Sequence, residues 1–178
     1  MSDLGVPVCG TRFQGHDLCS PRHALMNTSF MLEGILCATA GVLLACLVEG
    51  RVHRVIISLA IPHGVGMVLV GLFHGSADGA DLSLALHVGG AAVGIVCANT
   101  IAIIAGSLRG LRLPLAYRVF SIAVGALGLL SELLVGMSAS TAGIFERGGV
   151  YSWLLWSVAT GALLLVWQVG RPTTVENV

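Results

Sequence analysis

Residues 83–106 read SLALHVGGAAVGIVCANTIAIIAG, a run without Asp, Glu, Lys or Arg. A helix needs ~20 mainly apolar residues to cross a hydrocarbon core of ~30 Å, and this run is long enough. Four more runs meet the same criterion, at about 28–48, 55–73, 115–136 and 150–169. The pattern predicts an all-α fold: a polytopic transmembrane bundle of five helices, in which each helix satisfies its own backbone polar groups.

The composition also indicates a membrane protein. Hydrophobic residues make up 56% of the 178 residues and the mean hydropathy is +0.92, whereas soluble domains contain roughly 45–50% apolar residues. The formal net charge is +0 and the chain has no basic run, which argues against a nucleic-acid partner. The predicted bundle, residues 28–169, leaves a tail of residues 1–27 and a short tail of residues 170–178.

The arginines predict the orientation, because positive residues concentrate on the cytoplasmic side of a membrane protein. Six arginines fall on one side of the predicted bundle and three on the other: Arg51, Arg54, Arg109, Arg112, Arg118 and Arg171 against Arg12, Arg22 and Arg147. We therefore expect a multi-pass protein of the cytoplasmic membrane. Residues 1–27 are predicted to be extracytoplasmic and the C-terminus cytoplasmic.

The N-terminal tail contains two cysteines, Cys9 and Cys19. It has no basic segment followed by an apolar one, so it is not a signal peptide. In an oxidising compartment the two cysteines are expected to form a disulfide, which would contribute ~2–3 kcal/mol to local order. The alternative is two unpaired thiols without a role.

Ionisable residues cluster where the second predicted helix ends and the third begins. The stretch VGLFHGSADGADLSLALHVGG, residues 70–90, contains His74, Asp78, Asp81 and His87. His74 closes one helix, the aspartates lie in the loop, and His87 opens the next helix. All four are therefore expected at one membrane depth, beneath the outer headgroups.

Two acidic residues lie within predicted membrane helices at about the same depth, Glu33 and Glu132. A charge inside the bilayer costs ~2.5 kcal/mol or more, so such residues mark a function or a specific pairing. We expect Glu33, His87 and Glu132 to converge in an outward-facing polar pocket and to carry any catalysis, with His74 and Asp78 as accessory residues.

Two kinds of chemistry remain open for this pocket. Carboxylates and an imidazole in a partly buried site can act as general acid and base. Alternatively His74, His87 and Asp78, or Glu132 in place of Asp78, could form a three-ligand zinc site with an open position. The spacing contains no HExxH or CxxC motif, so no metal or other cofactor is assigned. In a purely structural role, His87 would bond to a helix backbone or to Glu132.

Several short motifs occur together along the chain. They are SDLG (2–5), CG (9–10), CSPRHALMNTSF (19–30), VGLF (70–73), His87 followed by GGA (89–91), and ER (146–147) followed by Tyr151 and Trp153. Together they resemble, over nearly the whole chain, a prokaryotic membrane-protein family, the domain of unknown function numbered nine-nine-eight.

The resemblance implies a pattern of six helices in which SDLG follows a first transmembrane helix that is absent here, so we expect an upstream helix. Members of the family often have proline at the position of His74, which sets His74 apart from a shared mechanism. The family has no established activity, so the resemblance implies an architecture and no reaction.

The sequence thus indicates an integral cytoplasmic-membrane protein whose polar pocket binds or acts on a lipid-like molecule; whether it is an enzyme stays open. One alternative is a non-enzymatic membrane subunit or scaffold whose buried polar groups only lock the helices together. Another is an oligomeric proton-coupled transporter. The expected partners are membrane lipids and either a second copy of the chain or a membrane partner protein.

Overall fold

The described residues form a bundle of five long helices. The computed structural model describes residues 5–7, 11–13, 16–18, 20–74, 82–109, 113–137 and 141–169. The helices are α1 (His23–Ala45), α2 (Gly50–Leu72), α3 (Leu82–Ser107), α4 (Leu115–Leu134) and α5 (Ala142–Val169), and a short 3-10 helix, Val135–Met137, continues α4. All five are long and apolar enough to cross a membrane, which confirms the predicted transmembrane bundle.

The N-terminal tail carries a short hairpin that the sequence analysis did not foresee. Its strands β1 (Thr11–Phe13) and β2 (His16–Leu18) pair antiparallel, with Thr11 opposite Leu18. Nearer the N-terminus, the carbonyl of Gly5 accepts a hydrogen bond of 3.0 Å from Asn27 Nδ2, which ties the tail to α1. Both cysteines of the predicted disulfide, Cys9 and Cys19, lie outside the described residues.

Three helices begin earlier than hydropathy predicts. Helix α1 begins at His23, not at residue 28, α2 begins at Gly50, not at residue 55, and α5 begins at Ala142, not at residue 150. Hydropathy marks where a helix meets hydrocarbon, whereas the backbone hydrogen bonds continue through polar residues such as Asn27 and Glu146. The earlier start moves Glu33 to the middle of α1, ten residues after its first residue and twelve before its last.

Helices that are consecutive in sequence pack against each other, and α5 also packs on α3. Small residues form these interfaces, as is typical of membrane helices. A Cβ added to Gly66 of α2 would lie 3.1 Å from the backbone nitrogen of Gly94 on α3, so the two backbones almost touch. Helix α1 packs mainly on α2, while α4 packs on α3 and α5.

The outer surface of the bundle is apolar. Large side chains such as Leu36, Leu133 and Val158 are more than half exposed. The core combines alanines with larger apolar side chains such as Ile56 and Trp153, and it also contains several polar residues. An apolar outer surface suits a lipid solvent, because apolar side chains lose nothing by facing hydrocarbon.

Candidate functional site

The close approach of α1 and α2 positions Glu33. A Cβ on Gly64 would lie 2.9 Å from the carbonyl oxygen of Gly34 and 2.6 Å from Ala38 Cβ, so only glycine allows this spacing. Because Gly34 follows Glu33 and Gly64 follows His63, the contact brings these two side chains together. His63 Nε2 lies 3.5 Å from Glu33 Oε1.

Three helices fix the ring of His63, which is only 2% exposed. Its Nδ1 lies 2.9 Å from the carbonyl oxygen of Gly94 on α3. Trp153 of α5 packs edge-on against the ring, with 4.6 Å between ring centroids. Since a carbonyl oxygen can only accept, Nδ1 carries the proton, and in the neutral ring the lone pair is on Nε2, which faces Glu33.

Cys37 completes this cluster from α1. It lies one turn after Glu33 and therefore on the same face of the helix. The ligand atoms of Glu33, Cys37 and His63 all lie within 4.8 Å of one another. Both carboxylate oxygens of Glu33 and Nε2 of His63 are buried and have no hydrogen-bond partner among the described residues. We call these three residues the central polar group.

The central polar group lies near the middle of helices α1 and α2, whereas the sequence predicted Glu33 beneath the outer headgroups. His63 lies thirteen residues after the first residue of α2 and nine before its last. At 1.5 Å per residue, nine residues span about 14 Å, close to half of a ~30 Å hydrocarbon core. The hydropathy of α1 alone did not indicate this position, which follows from the contact of Glu33 with His63 in the middle of α2.

A cavity of about 160 Å³ adjoins the central polar group. Helices α1 and α5 form its walls and have no extensive contact with each other, while α2 and α3 contribute to its floor. Its surface is almost entirely apolar. The lining includes Cys37, Leu44, His63, Trp153, Trp156 and Leu164. The cavity therefore extends from the central polar group toward the C-terminal ends of α1 and α5.

The structure places His87 in a backbone contact. His87 is 5% exposed, and its Nδ1 lies 2.6 Å from the carbonyl oxygen of Phe73, at the end of α2. This is the structural role that the sequence analysis weighed against catalysis. His74 has a buried Nδ1 without a hydrogen-bond partner among the described residues. Asp78 lies outside those residues, so the predicted metal set of His74, His87 and Asp78 stays a prediction.

Glu132 lies at the interface of α4 with α5. Its Oε2 is buried without a described hydrogen-bond partner and lies 3.5 Å from the position of a Cβ on Gly149. It interacts electrostatically with Glu146 of α5, and Glu146 lines a second, small cavity together with His87. Glu33, by contrast with Glu132, lies beside the side chains of His63 and Cys37.

The single chamber expected for Glu33, His87 and Glu132 stays a prediction, and the structure gives the three residues different described contacts. Glu33 belongs to the central polar group, His87 bonds to the end of α2, and Glu132 faces α5. The physical reason is the packing order, since α1 packs mainly on α2 while α4 packs on α3 and α5. The catalytic role of each residue stays a prediction.

The sequence of this chain matches a known protein family over most of its length. The family model described as protein of unknown function (DUF998) matches residues 2–163. The chain belongs to the DUF998 family. No curated protein and no solved structure shows a significant match to it. Membership agrees with the resemblance and with a membrane architecture, and it assigns no reaction.

In this DUF998 protein, sequence reasoning missed His63 as the partner of Glu33. Two signals were present: Glu33 and Cys37 lie at i and i+4 on one helix, and His63 lies in the middle of the next helix, which pairs with the first through a short loop. What the sequence could not supply was the rotation of α2 about its axis, which the contact between Gly34 and Gly64 sets.

Another buried polar residue of the DUF998 protein has an evident structural role. Asn99 of α3 is fully buried, and its Nδ2 donates to the carbonyl oxygens of Ile95, at 2.9 Å, and of Gly149 on α5, at 3.0 Å. Its amide also lies against Gly128 of α4. Asn99 therefore bonds α3 to α5 and packs against α4, while its Oδ1, like the acceptor atoms of the central polar group, has no hydrogen-bond partner among the described residues.

Proposed function

We propose that this DUF998 protein binds an amphipathic, lipid-like molecule within the membrane. The apolar part of that molecule lies in the cavity between α1 and α5, and its polar end lies at the central polar group. The observation that carries the proposal is an apolar cavity that ends, at mid-membrane depth, on unpartnered polar atoms.

The size of the cavity suits part of a lipid. A dry cavity of ~150 Å³ holds a molecule of the size of benzene, so about 160 Å³ admits one ring or a short segment of an acyl chain. Trp153 and Trp156 supply flat, apolar walls. Because α1 and α5 have no extensive contact, a lipid can enter sideways from the bilayer without crossing a headgroup layer.

The proposal includes the predicted orientation. With the tail outside and the C-terminus in the cytoplasm, helices α1, α3 and α5 end on the cytoplasmic side. The cavity then lies in the cytoplasmic half of the bilayer, since it follows α1 from Cys37 to Leu44 and α5 from Trp153 to Leu164. A pocket in that half replaces the outward-facing pocket that we expected from the sequence.

The competing interpretation, a scaffold whose polar residues only lock helices together, describes Asn99 well. It does not describe Glu33, because a buried carboxylate without hydrogen bonds destabilises a fold. A lipid with a polar group at this depth gives those atoms a partner. We therefore favour a binding protein over a scaffold.

A matched pair of variants tests the proposal. Gly161 lines the cavity and Gly89 lies on the outer surface of α3, and a Cβ at either position meets nothing within 4 Å. Gly161→Leu therefore fills the cavity without a backbone clash, and Gly89→Leu adds the same side chain outside it. The probe is a diazirine-labelled fatty acid in phosphatidylglycerol and phosphatidylethanolamine vesicles.

We expect saturable photolabelling of residues 37–44 and 157–164, competed by unlabelled fatty acid. Gly161→Leu should lower that labelling at least about tenfold, the equivalent of ~1.4 kcal/mol, while Gly89→Leu leaves it unchanged. Labelling that does not saturate, or that is equal in the two variants, would show that the probe contacts only the lipid-facing surface.

A further inference from the structure

We propose that Glu33, Cys37 and His63 bind a zinc ion in the middle of the membrane. The metal site rests on the geometry of these side chains alone. Only the use of its remaining coordination position rests on the proposed function, because that position faces the cavity in which the lipid-like molecule would lie.

The distances suit one ion. In a tetrahedral zinc site the ligand atoms lie about 2.0–2.3 Å from the ion and therefore about 3.3–3.8 Å from one another. His63 Nε2 and Glu33 Oε1 are already 3.5 Å apart. All three ligand atoms lie within 4.8 Å of one another, so a movement of at most about 1 Å brings them to these separations. Rotation about the side-chain bonds of Glu33 and Cys37 supplies that movement without shifting a helix.

The histidine has the orientation of a metal ligand. Histidines that bind metals donate the other ring N–H to a backbone carbonyl or carboxylate, which fixes the ring and its tautomer. His63 Nδ1 makes this contact with the carbonyl oxygen of Gly94. The edge-on packing of Trp153 further restricts the ring. The lone pair of Nε2 is thereby directed at Glu33, which offers no proton donor when it is ionised.

A cation resolves the electrostatics of this arrangement. When neither group carries an added proton, the lone pair of His63 faces a carboxylate at 3.5 Å; both Glu33 oxygens and His63 Nε2 are buried without a hydrogen-bond partner among the described residues. A neutral imidazole, one carboxylate and one thiolate supply two negative charges, which balance the charge of Zn²⁺. The complete site is therefore neutral, which limits the cost of holding a divalent ion in a medium of low dielectric constant.

The donor set selects zinc among common divalent ions. A thiolate and an imidazole disfavour Mg²⁺ and Ca²⁺, which take oxygen ligands, while a mixed nitrogen, sulfur and oxygen set suits zinc. Three protein ligands leave a fourth position open. Because Cys37 and His63 both line the cavity, an oxygen of the lipid-like molecule or a water can occupy that position.

Cobalt titration tests the site, since Co²⁺ bound to a thiolate has a charge-transfer absorption band. The full chain is purified in a mild detergent with an affinity tag that contains no histidine, stripped of metal with a chelator, and titrated with Co²⁺ and then Zn²⁺. We expect one equivalent of Co²⁺, displaced by Zn²⁺. Cys37→Ala should abolish the band, while Cys46→Ala, at the residue that follows α1, should retain it. His63→Gln should weaken binding at least about 100-fold, and His87→Gln should leave it unchanged.

A second measurement on the unmodified protein avoids any dependence on variants that fold poorly. Zn²⁺ should slow the alkylation of Cys37, followed by mass spectrometry, without slowing that of Cys46. The proposal is overturned if Zn²⁺ protects neither thiol, or if the cobalt band persists in Cys37→Ala. Saturable lipid labelling without metal binding would overturn the zinc site alone, whereas metal binding without labelling would overturn the lipid proposal alone.

Discussion

Substitution of Gly64 by alanine adds one methyl group between α1 and α2 and is expected to widen the spacing of the two helices. In Gly64→Ala the new Cβ would lie 2.6 Å from Ala38 Cβ and 2.9 Å from the carbonyl oxygen of Gly34. An ordinary contact begins at 3.4 Å, so the helices must separate by about 0.8 Å at this level. Since the Gly34 oxygen belongs to the backbone, no side-chain rotation can absorb the clash.

The energetic consequence is isolated by comparison with Gly89→Ala, whose Cβ meets nothing within 4 Å. Both variants gain the helix propensity of alanine, up to ~1 kcal/mol. The difference between them is therefore the packing cost, which is about 1–3 kcal/mol for an added methyl in a tight interface. The same separation of about 0.8 Å moves His63 away from Glu33 and Cys37, so the side chains must close a wider gap to reach metal–ligand distances that tolerate only ~0.2 Å, and Gly64→Ala should also bind Zn²⁺ more weakly.

Unfolding in mixed micelles with increasing dodecyl sulfate, followed by circular dichroism, gives the free energy of unfolding, and metal titration gives the affinity. We expect Gly64→Ala to be less stable than Gly89→Ala by about 1–3 kcal/mol. If the two variants have equal stability and equal Zn²⁺ affinity, α1 and α2 do not approach each other as described.

Three further predictions use the same unfolding assay. Asn99→Leu removes the donor to Gly149, and we expect it to lower the free energy of unfolding by about 0.6–1.7 kcal/mol; no loss would contradict an interhelical bond at this site. Trp156→Phe retains an apolar ring but loses the 3.1 Å hydrogen bond to Ser121 Oγ, so a loss of about 0.5–1.5 kcal/mol is expected, and a larger one would point to packing. Glu132→Gln removes a charge that faces a second carboxylate on α5, so stability should change by less than about 1 kcal/mol or increase; a large loss would reveal a cationic partner.

The fold was largely accessible from the sequence because the hydrophobic runs are long and nearly free of charge. Residues 83–106 and 115–136 agree with α3 and α4 to within a few residues. The starts of α1, α2 and α5 were missed because polar residues extend those helices beyond the hydrocarbon layer, and hydropathy does not respond to backbone hydrogen bonds.

The site could be predicted from the sequence less well than the fold, for a geometric reason. The sequence predicts that Glu33 and Cys37 share a face of α1, but it does not specify which face of α2 meets them. Contacts of glycine with glycine determine that rotation, and α2 has glycines at Gly64, Gly66 and Gly71. From the sequence, Glu33 was grouped with His87 and Glu132 only because the three were predicted to lie at one membrane depth. In the structure, Glu33 contacts His63.

The most direct test of the convergence of α1 and α2 on one ion is an X-ray absorption spectrum at the zinc edge of the zinc-loaded protein. We expect one sulfur at about 2.3 Å, from Cys37, with nitrogen and oxygen ligands at about 2.0–2.2 Å and the outer-shell scattering of one imidazole, from His63. A spectrum with only oxygen and nitrogen around zinc, or a sulfur shell that survives in Cys37→Ala, would contradict a site built from Glu33, Cys37 and His63.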